Sequence, residues 1–389
     1  MGRAHRERGK RPERRRPGLL TLCMIVKDEA HAVARTLRSA KPHIDRWVIV
    51  DTGSTDGTQA IVREVLEGVP GELFEASFVD FATTRNVALD RCGAETEFVM
   101  WMDADDVLEG GEALGSFLEG ERSKRGADRE AYFVRVDTGV RFDSPRILRA
   151  RDGWRFVGVV HEVLCAPGKL PPTHRVPDAL IRHVRTDLSK QRSVKRWERD
   201  VALLEGALER DPTDARAAFY LAETLFSLER YEEAIEAFER RVALGGWVEE
   251  VYQAKLHRAA AAEVLSKPWP EVLALYLDAH ATAPHRAEAL HAIAHHYNLS
   301  KEHALCFLFA RRGYELPLPA GDHLFVDEGT YTWKLADLVG SSGYWIGEYA
   351  LGEEALRKAL RFRPDDLRLK QNLTFYVERK QRERAKRGR

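Results

Sequence analysis

The chain has 389 residues, of which 44% are apolar or aromatic and 31% charged. It is too long for one ordinary domain and too apolar to be disordered throughout. Its 61 Lys and Arg balance 61 Asp and Glu, which argues against a dedicated nucleic-acid binder.

The elements follow in chain order. Leu19–Val26 reads as a buried strand. Glu29–Ala40 reads as a helix with Ala32, Val33, Leu37 and Ala40 on one face. Trp47–Val50 is a second strand, Thr55–Leu66 a second helix and Glu72–Glu75 a short third strand. Phe81–Arg91 is a third helix and Phe98–Met102 a fourth strand. Continuous apolar strands alternating with helices predict a parallel sheet covered on both faces. Tyr132–Val136 and Ile147–Arg149 are expected to extend it. From about Ser189 the pattern turns helical. Val194–Glu209 is one amphipathic stretch, and RAAFYLAETLFSLERYEEAIEAFERRVALGG after it has the two-helix spacing of a tetratricopeptide repeat. Leu221, Ala222, Ala234 and Phe238 fill the small and bulky positions that let paired helices approach. Degenerate copies are expected at Tyr252–Ala281, Ala287–Tyr314 and Tyr344–Pro364. Such units are stable only when stacked.

The expected divisions are a basic tail at 1–18, an α/β domain at 19–188, helical repeats at 189–378 and a second basic tail at 379–389. Residues 2–18 hold eight Lys or Arg against two Asp or Glu, and residues 379–389 seven against one. Two solvated basic ends therefore flank an acidic body. Cys23, Cys92, Cys165 and Cys306 form no CxxC, which argues against a disulfide scaffold or a cysteine-rich zinc site. The apolar run Leu19–Val26 is too short for a membrane span or a signal peptide. A soluble, cytoplasmic protein is expected.

Ligands of open parallel sheets bind at the carboxyl ends of the strands. Three predicted strands end in polar groups: Lys27-Asp28-Glu29, Asp51-Thr52-Gly53-Ser54-Thr55-Asp56-Gly57, and Asp103-Ala104-Asp105-Asp106. Carboxylates at Asp103 and Asp105 can share a hard divalent cation, Mg²⁺ or Mn²⁺, which leaves room for phosphate oxygens. A turn or helix cap is the alternative use of the same residues; their place after FVMWM favours the cation. Asp51 can accept from a nucleobase or ribose, with Thr55 and Asp56 capping the second helix. His161 and Glu162, after the apolar run in WRFVGVV, can supply a metal contact or a general base, or form a surface pair. His183 stands alone after an apolar stretch, a position more often structural. His291 and His295 share a helix face but have no evident third ligand, so they read as a repeat face rather than a zinc site. No GxGxxG follows the first strand and no GxxxxGK[ST] occurs, which disfavours dinucleotide and P-loop enzymes.

Together MIVKDE, WVIVDTGSTDGT, FATTRNVAL and MDADD resemble the family 2 glycosyltransferases, which have the GT-A nucleotide-diphospho-sugar transferase fold. GVVHE, IRHVR, FYLAETL and RRVALGGWVEE resemble the subgroup with a C-terminal tetratricopeptide region, which includes glycocin-type peptide S-glycosyltransferases. The resemblance covers most of residues 19–265. It implies a GT-A domain followed by an all-α tetratricopeptide-like domain, and metal-dependent inverting transfer from a nucleoside-diphosphate sugar, usually a UDP-sugar. It implies that Val26, Lys27 and Glu29 line the nucleotide pocket, that Asp51 binds the base, and that Thr52 and Gly53 belong to the nucleotide-sugar site. Arg85 would contact base or diphosphate, and Asp103 the ribose or metal. Asp105 and His183 would ligate Mn²⁺ or Mg²⁺. Glu162 would be the catalytic base, with His161 beside it in an undetermined role. The family's usual Asn in its NE motif is Asp28 here. The repeats would hold a peptide or protein acceptor or form a homodimer. Two other readings are a sugar nucleotidyltransferase, disfavoured by the glycine-free KDEAH loop, and a non-catalytic repeat scaffold.

Overall fold

The computed structural model describes residues 18–387 except 94, 125–130, 139–140, 167–172, 185–186 and 323. The first basic tail lies almost wholly outside the described residues. Two compact units follow, Met1–Ser193 and Val194–Arg389.

The first unit starts with β1 (Gly18–Val26), α1 (Val33–Ala40), β2 (Arg46–Asp51), α2 (Thr58–Val65), β3 (Gly71–Glu75), α3 (Phe81–Cys92) and β4 (Thr96–Trp101). These strands lie parallel in the order β3-β2-β1-β4. Side chains alternate across a strand. In β1, Leu20, Leu22, Met24 and Val26 pack with Val33 and Leu37 of α1 and Val62 of α2. Cys23 faces the other way, with Val48, Val50, and Ala88 and Leu89 of α3. Both faces are therefore covered, which is why the run is apolar at every position.

The remaining elements are β5 (Asp106–Glu109), α4 (Gly111–Arg122), β6 (Ala131–Asp137), β7 (Arg141–Arg149), β8 (Arg155–Val157), β9 (Val163–Cys165) and β10 (Thr173–His183). They extend the parallel strands with antiparallel ones. The eight-stranded sheet runs β3-β2-β1-β4-β7-β6-β10-β5. Within it β7 is antiparallel to both β4 and β6, and β5 is antiparallel to β10. The link between β6 and β7 is too short for a crossover, so the pair can only be a hairpin. β8 and β9 form a separate two-stranded sheet.

The second unit begins within α5 (Asp187–Arg210). It comprises α6 (Ala215–Ser227), α7 (Tyr231–Ala243), α8 (Val248–Val264), α9 (Trp269–Thr282), α10 (Glu288–Leu299), α11 (His303–Tyr314), α12 (Leu335–Ile346), α13 (Tyr349–Phe362) and α14 (Leu367–Arg387). Consecutive helices pack on one another throughout. Asp214 caps α6 by accepting from the Ala217 amide at 2.9 Å. Ala222, Ala234 and Phe238 are fully buried at the α6–α7 crossing. The last expected repeat begins earlier than its sequence pattern, with α12 at Leu335. There Gly352 admits Tyr376, whose hydroxyl donates to the Gly340 carbonyl at 2.6 Å; a Cβ on Gly352 would lie 2.2 Å from that oxygen. Residues 379–387, read as a solvated tail, continue α14. Among the described residues no helix is long and apolar enough to cross a membrane.

Candidate active site

The loops after β1 and β2 are sewn together. The Val26 carbonyl accepts from the Thr52 amide at 2.9 Å and from its hydroxyl at 3.2 Å. The Asp28 amide donates to Ser54 Oγ at 2.9 Å, and Asp28 Oδ1 accepts from the Thr55 amide at 2.8 Å. The Glu29 amide donates to Thr58 Oγ1 at 2.7 Å and the Ala30 amide to Asp56 Oδ2 at 3.0 Å. These bonds engage the backbone that the sequence pattern assigned to the start of α1, so that helix begins at Val33. Asp28 has φ 53°, a left-handed conformation that Asp and Asn tolerate better than most residues. Asp28 thus suits the backbone conformation of this loop. α2 starts behind Gly57 at φ 94°. Asp56 Oδ1 accepts from the Thr58 amide at 3.0 Å, while Thr55 turns to Asp28 instead of capping the helix. Lys27 and Gly53 are exposed, and Glu29 is half-buried.

Asp51, the last residue of β2, is fully buried. Its Oδ1 accepts from the Gly53 amide at 2.9 Å, the Ser54 amide at 2.8 Å and Gln59 Nε2 at 3.1 Å. Its Oδ2 is buried with no partner. Burial is the largest single influence and pushes the carboxyl up, but the hydrogen bonds from Ser54, Gly53 and Gln59 together hold it below the usual Asp value. One oxygen is saturated and the other is an open acceptor. Gln59 also reaches Glu75 Oε1 at 3.0 Å, at the end of β3. Sequence reasoning singled out neither Gln59 nor Glu75.

The acidic run after β4 divides its labour. Asp103 Oδ1 accepts from Arg85 Nη2 at 2.5 Å, and Asp103 Oδ2 lies 3.5 Å from Arg146 Nη1. Burial raises the Asp103 carboxyl, but Arg85 and then Arg146 outweigh it and hold the group well below the carboxylate range. Asp106 is fully buried. Its Oδ2 accepts from the Asp103 amide at 3.0 Å and from Arg146 Nη1 at 3.2 Å. His183 Nδ1 lies 3.3 Å from Asp106 Oδ1 and 3.3 Å from Asp105 Oδ1. The β5–β10 pairing explains this meeting, because its register sets His183 opposite Asp106. Burial, with Asp103 and Asp106 adding to it, pushes Asp105 above the usual Asp value against the pull of His183. The hydrogen bond to Asp106 leads the rise in His183, helped by the charge of Asp105. Asp105, Asp106 and His183 offer ligand atoms within 4.8 Å of one another, the one such group of three among the described residues. His291 and His295 stack with ring centroids 6.0 Å apart and belong to no such group.

Glu162 joins the same network through Arg85, whose Nε donates to Glu162 Oε1 at 2.5 Å. The Arg85 guanidinium lies over the Trp101 ring at 4.6 Å and the Phe156 ring at 5.5 Å. The next residue, Asn86, receives the Phe156 amide at 2.8 Å and gives its Nδ2 to the Phe156 carbonyl at 2.9 Å, which pins β8 to α3. His161 is exposed, with φ 46°. Glu162, Arg85, Asp103, Asp106, Asp105 and His183 thus form one contiguous cluster. Val26, Lys27, Glu29, Asp51, Thr52 and Gly53 form a second at the ends of β1 and β2, beside β4 in the sheet. Arg146, Trp101 and Asn86 were missed. The available signal for Arg146 was a charge inside the strand segment SPRILR.

Residues 21–120 match the model of Glycosyl transferase family 2. The first unit carries a family 2 glycosyltransferase domain. Residues 201–245 match the Tetratricopeptide repeat model, so the family 2 domain is followed by a repeat region. The chain is 23% identical over 227 residues to the SPbeta prophage-derived glycosyltransferase SunS of Bacillus subtilis, covering 57% of this chain and 53% of SunS. It is 30% identical over 241 residues to a TPR repeat-containing protein of Synechococcus elongatus, covering 58% of this chain and 56% of that protein. The chain thus spans little more than half the length of these curated relatives. A crystal structure of MamA aligns with 51% of this chain and 99% of its own at 15% identity, with a TM-score of 0.33, too low to add to the helix packing described above.

Proposed function

We propose that the protein is a glycosyltransferase that moves a sugar from a nucleoside-diphosphate sugar, a UDP-sugar in the simplest case, to an acceptor nucleophile with inversion. The observation that carries this reading is the chain Glu162–Arg85–Asp103. Its links span 77 and 18 residues of sequence, and it sets a carboxylate, a buried cation and the acidic cluster side by side.

In this reading the open Oδ2 of Asp51 accepts the imide N–H of a uracil, with Val26–Gly53 residues of the two sewn loops around it. Asp103 reaches the ribose or the diphosphate region, held there by Arg85. Two carboxylates and one imidazole, from Asp105, Asp106 and His183, are a donor set that fits Mn²⁺ or Mg²⁺. When bound, such a cation neutralises the charge that develops on a departing diphosphate. Arg85 adds a fixed positive charge that needs no reorganisation during the reaction. Glu162 takes the acceptor proton as the nucleophile attacks the anomeric carbon opposite the leaving group. His161 stands at the rim of the same turn. The repeats present a peptide or protein acceptor, or pair two copies of the chain.

Release of UDP from a panel of UDP-sugars, measured with and without Mn²⁺, tests the reading directly. At least one donor should turn over, and more slowly without the ion. Glu162→Gln should keep nucleotide affinity and lose about 100-fold or more of transfer, the usual weight of a general base. Normal transfer by that variant removes Glu162 as the base. Absence of turnover with every donor removes the function.

A further inference from the structure

Arg146 has no part in the reading above, yet it is, like Arg85, a buried and stacked charge in the cluster. It sits on β7, 7% exposed, with its guanidinium 3.8 Å over the Trp101 ring. Trp101 is in turn anchored by Nε1–H to the carbonyl of Pro145 at 2.8 Å. Stacked and enclosed, the Arg146 head cannot swing out to solvent as a surface arginine does. It serves two carboxylates, Asp106 at 3.2 Å and Asp103 at 3.5 Å. Arg85 also serves two, Asp103 and Glu162. Among the described residues Asp105 has no guanidinium partner and meets only His183. The acidic run is therefore largely neutralised from behind before any cation arrives.

We propose that Arg146 is a built-in counter-charge that keeps the cluster's affinity for a free divalent cation low, so that the cation is held firmly only together with an anionic diphosphate. This inference rests on the reading that Asp105, Asp106 and His183 hold a cation. A fixed unit charge a few ångströms from a divalent cation opposes its occupancy by about ten-fold or more even at the dielectric of water, and by far more at that of a partly buried site. A diphosphate brings the negative charge that relieves this opposition. The two ligands then favour each other, and the coupling is reciprocal. A merely structural arginine would behave oppositely, because losing it would loosen Asp106 and weaken cation binding.

The test is a Mn²⁺ titration of the full-length protein, following free Mn²⁺ by electron paramagnetic resonance with and without UDP. Without UDP, Arg146→Met should bind Mn²⁺ at least about ten-fold more tightly than wild type. Arg146→Lys, which keeps the charge and loses the planar fork, should stay near wild type. UDP should strengthen Mn²⁺ binding markedly in wild type and much less in Arg146→Met. If Arg146→Met does not fold, Arg146→Gln keeps a donor for Asp106 and carries the same expectation. Equal or weaker Mn²⁺ binding by the neutral variant overturns the counter-charge, provided wild type binds the ion and Asp105→Asn does not. If wild type and Asp105→Asn bind Mn²⁺ alike even with UDP, the cation reading itself fails and the inference falls with it.

Discussion

Asp51 shows how a single side chain becomes directional. Three donors crowd its Oδ1, while Oδ2 is buried without a partner. A buried acceptor left open in this way is costly unless a ligand fills it. Asp51→Asn can keep the loop bonds through its amide oxygen but offers an N–H₂ where the open oxygen stood. UDP affinity measured by calorimetry should fall by about 2 kcal/mol, the weight of a hydrogen bond to a charged group. The same carboxyl has a pH consequence. Its folded value lies below the ordinary 3.8, so its stabilisation is complete above that value and is lost as the pH falls through the lower folded value. Thermal melts of wild type should therefore show no Asp51-dependent loss at neutral pH. The difference from Asp51→Asn should narrow only in acid.

At the scale of elements, α3 carries the site through two adjacent residues with different duties. Arg85 holds the carboxylates, and Asn86 clamps both backbone groups of Phe156. Asn86→Ala leaves those groups unsatisfied and frees β8, the strand before the turn that bears Glu162. Transfer should fall about ten-fold, because misplacing a reacting group costs rate steeply, while UDP affinity should stay near wild type. Equal losses of both would assign Asn86 to general stability. The parallel strands β1, β2 and β4 were legible because both faces of the sheet are covered, which makes them continuous apolar runs. β5 and β10 were not. β5 is four residues long and directly follows the acidic run, so it looks like a turn. β10 is irregular between Arg175 and Leu180, with Asp178 at φ 53°, and its partner lies far away in sequence. His183 therefore read as a lone histidine, and only the family resemblance linked it to the acidic run it meets. Arg146 showed only as a charge inside a strand segment, because its partners Trp101, Asp103 and Asp106 come from another part of the chain. In the repeats, α10 holds the half-buried His291, which burial, with Lys334 and His295 adding to it, pushes down to about 4. An unfolded histidine titrates near 6.5, so the unfolded state binds the proton first and stability falls as the pH drops from there towards 4. The loss should be about 2 kcal/mol after allowing for the water that still reaches the ring. Denaturant melts of the helical signal should show that slope in wild type and a flatter one in His291→Gln.

At the scale of the molecule the chain builds separate cores. One set of buried side chains fills the two faces of the sheet, and another runs from Tyr252 to Tyr376 through the helices. Every residue assigned to donor binding belongs to the first unit, whereas the repeat pattern that suggests an acceptor belongs to the second. The two ligands should therefore leave different footprints. A ligand at 100 times its Kd stabilises what it binds by about 2.7 kcal/mol. Hydrogen exchange with UDP and Mn²⁺ should slow β1, β2 and β4 and the loops that follow them, with α6–α13 changing less. An acceptor peptide, once found by its glycosylation, should instead protect the α6–α9 helices. Protection by that peptide confined to the sheet unit would remove the repeats as its holder and leave self-association as their use, with dissociation on dilution as the sign to look for.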